Sequence, residues 1–158
     1  MKPYRILFVC MGNICRSPTA HGVLQSKLER LGWESWLYVD SAGTHNFHPD
    51  SPPDERSQRH AALRGYDLST LRARQVVDAD FSSHDLILAM DSANLVQLRS
   101  RCPSQFQGKL RRVTDFCRNL ESEDVPDPYY GGSEGFECVL DLVEDACEGL
   151  LVHASTRL

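Results

Sequence analysis

The sequence predicts an α/β fold, a four-stranded parallel sheet with helices on both faces in a three-layer α/β/α, Rossmann-like arrangement. Three observations carry this expectation. Apolar runs of strand length, Ile6 to Cys10, Trp36 to Val39, Asp85 to Met90 and Leu110 to Val113, alternate with stretches of helical spacing. Three of these runs end in small or polar residues: Cys10, the series Asp40-Ser41-Ala42-Gly43, and Asp91. Parallel sheets hold their ligands at that edge. No internal repeat, low-complexity tract or charged linker divides the chain, so one domain over residues 1–158 is expected.

The first run carries no charge, as a strand covered on both faces would. Gly12 and Asn13 follow it, and both tolerate the positive φ angles that turn successive backbone N–H groups towards a common centre. Such a nest binds an anion. Ser17-Pro18 then signals a helix start, with Ser as a cap and Pro suited to the first helical position, so the helix dipole points at the loop. Cys10 and Arg16 are separated by five residues. A loop of that length, closing on a tetrahedral phosphate, places the thiol beneath it and the planar guanidinium fork beside it. Inward N–H groups, the helix terminus and Arg16 favour the thiolate of Cys10, which is a nucleophile when held against phosphorus. The competing reading is a buried structural cysteine, which leaves the Gly, Asn, Arg and Ser-Pro that follow it unexplained. The expected phosphate cradle is Met11, Gly12, Asn13, Ile14, Cys15, Arg16 and Ser17.

Pro18 to Leu31 sets Val23, Leu24, Leu28 and Leu31 at helical spacing, with Gly32 as the stop. His45 to Pro53 is a loop because Pro49, Pro52 and Pro53 exclude regular helix. Its large aromatic is Phe47, which by itself reads as a loop residue folded back onto the core, and His45 and His48 read as surface histidines. Asp54 to Leu63 is a helix. Leu71 to Gln75 is a basic connection whose Arg72 and Arg74 are either solvated or steer an anionic substrate. Asp91 reads as the N-cap of a helix from Ser92 to Leu98. Glu121 to Asp127 is an acidic loop, and the last helix spans Gly132 to His153 with Phe136, Val139, Leu140, Val143, Cys147, Leu150 and Leu151 as its apolar stripe.

Attack by a thiolate on a phosphate monoester expels a poor leaving group unless that oxygen is protonated as it departs. Asp127 is the candidate acid. Pro126 and Pro128 bracket it and restrict its backbone, although Asp-Pro also opens ordinary turns. Tyr129 either forms a second apolar wall for an aryl group or anchors its own loop. Ser17 either caps the helix or sets its hydroxyl against Cys10. Asn13 holds the loop through side-chain bonds, with Ser41 as the expected partner.

VCMGNICRSP together with DPYY at 127 to 130 resembles the low-molecular-weight protein tyrosine phosphatase family, and the similarity extends over nearly the whole chain through DSAGT at 40 to 44, ARQ at 73 to 75 and MDSANL at 90 to 95. The resemblance implies hydrolysis of phosphotyrosine through a phosphocysteine on Cys10, with Asp127 as general acid and then base. It also implies Phe47 at the pocket entrance, Asp91 supporting the loop, and tyrosines at 129 and 130 that are phosphorylated in some members. Related enzymes commonly have a histidine where this chain has Leu71, joined to Asn13 and Ser41; what holds Asn13 here is left open. Arsenate reductases share the fold and loop but carry an additional cysteine pair in the segment that here reads Phe81 to Ala89, which contains none. Relatives acting on phosphoarginine prefer a smaller residue than Ile14. A non-catalytic phosphotyrosine-binding module would need neither Cys10 nor Asp127.

A formal charge of −5 without a long basic block argues against a nucleic-acid partner, and no run approaches the ~18 apolar residues of a membrane span. The expected partners are phosphotyrosine-containing proteins, met by a monomer in the cytoplasm. No cofactor is expected. The six cysteines lack paired C-x-x-C spacing, so reduced thiols and no metal site are expected. Cys15, inside the loop of the nucleophile, either packs beneath it or resolves an oxidised Cys10 as a disulfide.

Overall fold

The computed structural model describes residues 2–129 and 131–157, so Tyr130 lies outside the described residues. Four parallel strands run in the order β2-β1-β3-β4: β1 Tyr4–Cys10, β2 Leu37–Gly43, β3 Leu86–Ala89 and β4 Leu110–Arg112. β1 sits inside the sheet because its side chains are apolar on both faces. Ile6 and Phe8 meet Val23, Leu24 and Leu28 of α1 (Arg16–Leu31) on one side, joined by Val139, Val143 and Leu150 of α5 (Ser133–Ser155). Leu7 and Val9 face Phe81 of α3 (Asp78–Ser83) and Leu95 and Leu98 of α4 (Ser92–Arg101) on the other. α2 (Glu55–Leu63) packs beside α1 and α5. This is the three-layer arrangement expected.

Several boundaries differ from the sequence reading for identifiable reasons. β2 starts after Trp36, whose N–H turns back to the Trp33 carbonyl, and it continues through the polar series to Gly43. Pairing with β1 sets that length: the register runs from Tyr4↔Leu37 to Cys10↔Gly43, so Ser41, Ala42 and Gly43 are drawn into the sheet beside Phe8, Val9 and Cys10. The last helix begins at Ser133 and extends to Ser155. α3 was not anticipated, because six residues are too few for a period to show. It forms around Asp80, which accepts the Val77 N–H at 2.8 Å and the Arg74 guanidinium, while Phe81 is buried. Gly149 lets α5 press onto the 3₁₀ turn Val113–Phe116; a Cβ there would stand 1.8 Å from the Phe116 carbonyl oxygen.

Candidate active site

The loop between β1 and α1 lies at the C-terminal edge of the sheet, and it is held by side chains rather than by glycine. Among the described residues Asn13 carries φ 58°, whereas Gly12 does not adopt a positive φ. The sequence reading gave that freedom to both. The absence of a side chain at Gly12 serves packing instead: a Cβ would meet the His48 ring at 3.3 Å. Gly43 lets the start of this loop approach β2, since a Cβ there would stand 2.7 Å from the Met11 carbonyl oxygen.

Cys10 Sγ accepts the Asn13 N–H at 3.3 Å and lies 3.0 Å from Ser17 Oγ. Ser17 is not the helix cap. α1 starts at Arg16 with Cys15 in the capping position and no side-chain cap, so the Ser17 hydroxyl sits inside the first turn and faces the thiol. Asn13 is buried, donates from Nδ2 to Ser17 Oγ at 2.8 Å and accepts the Arg74 backbone N–H on Oδ1 at 3.0 Å. The expected Asn13–Ser41 pairing is therefore replaced. Ser41 Oγ lies 3.0 Å from His21 Nδ1 instead.

His21 was missed by the sequence reading because a polar residue inside a helix ordinarily faces solvent. Here it projects from α1 onto the polar end of β2, and burial lowers its pKa, against Asp40, which favours the charged form. Leu71 packs half-buried against the core. Arg74 is not merely solvated. Asp40 and Asp80 clamp its guanidinium at 2.9 Å, and its pKa is raised chiefly by the Asp80 bond, so its backbone N–H is presented to Asn13 from a fixed position.

Arg16 is only 2% exposed. Its Nη1 donates to Asp91 Oδ2 at 2.6 Å and to the Val125 carbonyl at 3.0 Å, and Nη2 stands 3.6 Å from Asp127 Oδ2. Burial works against its charge, yet Cys10, Asp91 and Asp127 together raise its pKa. Asp91 Oδ1 also accepts the Asn94 N–H and caps α4, so one carboxylate meets both the helix and the guanidinium. Val125, buried and bonded through its N–H to the Met90 carbonyl at 2.7 Å, anchors the acidic loop two residues before Asp127. Asp127 accepts the Tyr129 N–H at 3.1 Å, so it is a turn residue as well, with its side chain 39% exposed at the pocket.

A cavity of about 450 Å³ joins these groups, and Cys10, Arg16, Asp127, Phe47 and Tyr129 all line it, as do Met11, Gly12, Ile14 and Cys15. Phe47 is 59% exposed and stacked on His45 with ring centroids 4.9 Å apart, so it does not fold back onto the core. His48, read as a surface histidine, also lines the cavity. Its only sequence signal was nearness to Phe47 in a loop. Burial pushes the Cys15 thiol up to about 12, with Ser57 of α2 offsetting part of the shift. The six cysteines are unpaired. Among the described residues no group of three or more His, Cys, Asp or Glu could hold a metal, and no helix is long and apolar enough to cross a membrane.

A parallel α/β sheet that opens onto a thiol, a buried guanidinium and a carboxyl in one cavity defines a protein with an oxyanion pocket at its strand ends. Residues 5–157 match the family model described as low molecular weight phosphotyrosine protein phosphatase, and the chain belongs to that family. It is 42% identical over 151 residues to a low molecular weight protein-tyrosine-phosphatase of Streptomyces coelicolor, covering 94% of this chain and 92% of that one. It is 38% identical over 146 residues to YfkJ of Bacillus subtilis, covering 92% of each. The crystal structure of a protein tyrosine phosphatase from Entamoeba histolytica with Hepes in the active site superimposes with a TM-score of 0.93 at 40% identity, covering 98% of this chain and 99% of that one.

Proposed function

We propose that this phosphatase hydrolyses phosphotyrosine in proteins through a phosphocysteine on Cys10, with Arg16 binding the phosphate and Asp127 serving as general acid and then base. The observation that carries the reading is the convergence of Cys10, Arg16 and Asp127 on one cavity with aromatic residues at its mouth. Cys10 Sγ attacks phosphorus as the bond to the tyrosyl oxygen breaks, and Asp127 delivers its proton to that oxygen. Water then attacks phosphorus from the vacated side, gives its proton to Asp127, and the S–P bond breaks to release phosphate and the thiolate. The Asn13 N–H and the Ser17 hydroxyl support negative charge on the sulfur at both ends of the cycle. Arg16 Nη1 is committed to Asp91 and Val125, which fixes the guanidinium plane and leaves its other edge for two phosphate oxygens. The N–H groups of Met11, Gly12, Ile14, Cys15, Arg16 and Ser17 take the remaining oxygens, while that of Asn13 stays on the sulfur.

Phe47 and Tyr129 give an aryl phosphate two apolar faces and favour a ring long enough to reach Cys10. The proposal includes a single domain acting as a monomer, and Cys10, Arg16, Asp127, Phe47 and Tyr129 of one chain line the cavity. Six unpaired thiols suit a reducing, cytoplasmic setting. Oxyanion reduction is not favoured: Phe81 to Ala89 contains no cysteine and forms the end of α3 and the buried β3. The test is turnover of a phosphotyrosine peptide in a metal chelator. Cys10→Ser is expected to abolish turnover while phosphate still binds, and Arg16→Lys to lose most of the activity; near-normal rates in either variant reject the assignment.

A further inference from the structure

Asp127 sits on a loop whose aim depends on more than its flanking prolines. Tyr129, two residues on, has both of its peptide groups engaged: its N–H donates to Asp127 Oδ1 at 3.1 Å, and its carbonyl accepts from Arg56 Nη2 at 2.9 Å. Arg56 itself is not free to wander. Asp54 takes its Nε at 3.1 Å and its Nη2 at 3.0 Å, and the same carboxylate caps α2 by accepting the Arg56 N–H at 2.8 Å. The Asp54 N–H in turn donates to the Ile14 carbonyl, within the phosphate loop, at 2.8 Å. The Arg56 guanidinium also lies over the rings of Phe136, at 4.8 Å, and Tyr129, at 5.5 Å.

We infer that Arg56 is a positioning residue for leaving-group protonation, fixing the loop that bears Asp127 to the phosphate loop through Asp54. This rests on the reading of Asp127 as the general acid. A continuous series of hydrogen bonds runs from the Ile14 carbonyl to Asp54, from Asp54 to Arg56, from Arg56 to the Tyr129 carbonyl, and from the Tyr129 N–H to Asp127. The acid is thereby referenced to the part of the molecule that holds the phosphate. Nη2 alone bridges the Asp54 carboxylate and the Tyr129 carbonyl, and the second bond from Nε to Asp54 fixes the plane of the guanidinium. An ångström of misplacement at a reacting group costs on the order of 10²-fold in rate, so a loosened loop is costly even with Asp127 intact. α2 does not depend on this bracket to stay in place, because Arg64 pairs with Glu137, Asp141 and Glu144 of α5, and Tyr66 bonds Glu144.

The experiment compares kcat/KM for phenyl phosphate, whose leaving oxygen needs a proton, with p-nitrophenyl phosphate, whose leaving oxygen needs it far less. Arg56→Met keeps an apolar stem over Phe136 and removes the fork. It is expected to lower kcat/KM for phenyl phosphate about tenfold more than for the nitro compound, with inhibition by inorganic phosphate changed less than about twofold. In an Asp127→Asn background the same substitution is expected to add no further discrimination between the substrates. Equal loss on both substrates, no loss on either, a weakening of phosphate inhibition that tracks the loss of rate, or full additivity with Asp127→Asn would each overturn the inference. If Arg56→Met does not fold, Arg56→Leu is read by the same criteria, because it too removes every donor to Asp54 and Tyr129. Should Asp127→Asn alone fail to discriminate between the two substrates, the general-acid reading falls first; should it discriminate and Arg56→Met not, only the positioning role is lost.

Discussion

Asp91 divides its carboxylate between two jobs, gripping Arg16 through Oδ2 at 2.6 Å and capping α4 through Oδ1 at 2.7 Å from the Asn94 N–H. The two can be separated. Asn caps a helix about as well as Asp, so Asp91→Asn keeps α4 and removes the negative charge beside a buried guanidinium. We expect kcat/KM to fall about tenfold and phosphate inhibition to weaken as the Arg16 plane is released. Asp91→Ala loses the cap as well, and should unfold at lower urea by about 1 kcal/mol more than Asp91→Asn. Wild-type kinetics in Asp91→Asn would show that Val125 alone suffices to orient Arg16.

Loss of the Asp127 proton should hurt most when the departing oxygen is most basic. A tyrosyl oxygen, with a pKa of about 10, is demanding. Asp127→Asn keeps the acceptor for the Tyr129 N–H, and so leaves the turn intact while removing the acid. We expect kcat/KM for phosphotyrosine to drop at least about tenfold further than for a nitro-activated aryl phosphate. Equal slowing would reject the proton-donor role.

Cys15 shares the cavity with Cys10, but its thiol, pushed up to about 12 chiefly by burial, is protonated at neutral pH. Only the thiolate attacks a sulfenic acid on Cys10, so disulfide formation should accelerate about tenfold per pH unit between pH 7 and 9. Peroxide-treated wild type should recover with dithiothreitol and yield a Cys10–Cys15 linked peptide by mass spectrometry. Cys15→Ser should recover poorly, and bound phosphate should protect both. Full recovery of Cys15→Ser with no linked peptide in the wild type would leave Cys15 as a packing residue.

Three histidines, His21, His84 and His153, have pKa values lowered below 6.5, in each case first by burial. The folded protein therefore keeps them neutral where the unfolded chain takes up protons. Stability from this source is complete above pH 6.5 and is lost as the pH falls below it. The urea midpoint should be lower at pH 5.5 than at pH 7.5. His84→Asn, which can still donate to the Asp80 carbonyl, should flatten the dependence. A wild-type midpoint that does not move across this range contradicts the assignment.

Much of the site was legible because its chemistry is local. Cys10, Asn13, Arg16 and Ser17 lie within one turn of chain after a strand, where spacing alone fixes what can close on an anion. What supports them is not local. Asn13 rests on the Arg74 backbone, Ser41 on His21, and the Tyr129 carbonyl on Arg56, from segments that sequence spacing does not join. Nor could spacing say that Gly12 makes room for His48, or that Asp91 serves a helix and a guanidinium together.

By itself the sequence determined the alternation of strand and helix, the anion loop, and the residue types that phosphate-ester chemistry demands, because each depends on backbone preferences and apolar periods within a few residues. Only the tertiary structure decided where β2 ends, which hydroxyl faces the thiol, and how Asp127 comes within 3.6 Å of Arg16 across 111 positions of chain. Those outcomes depend on strand register and on the packing of α1, α2 and α5. Distances across the fold are set by burying all of these surfaces at once, and no single stretch of sequence carries that information.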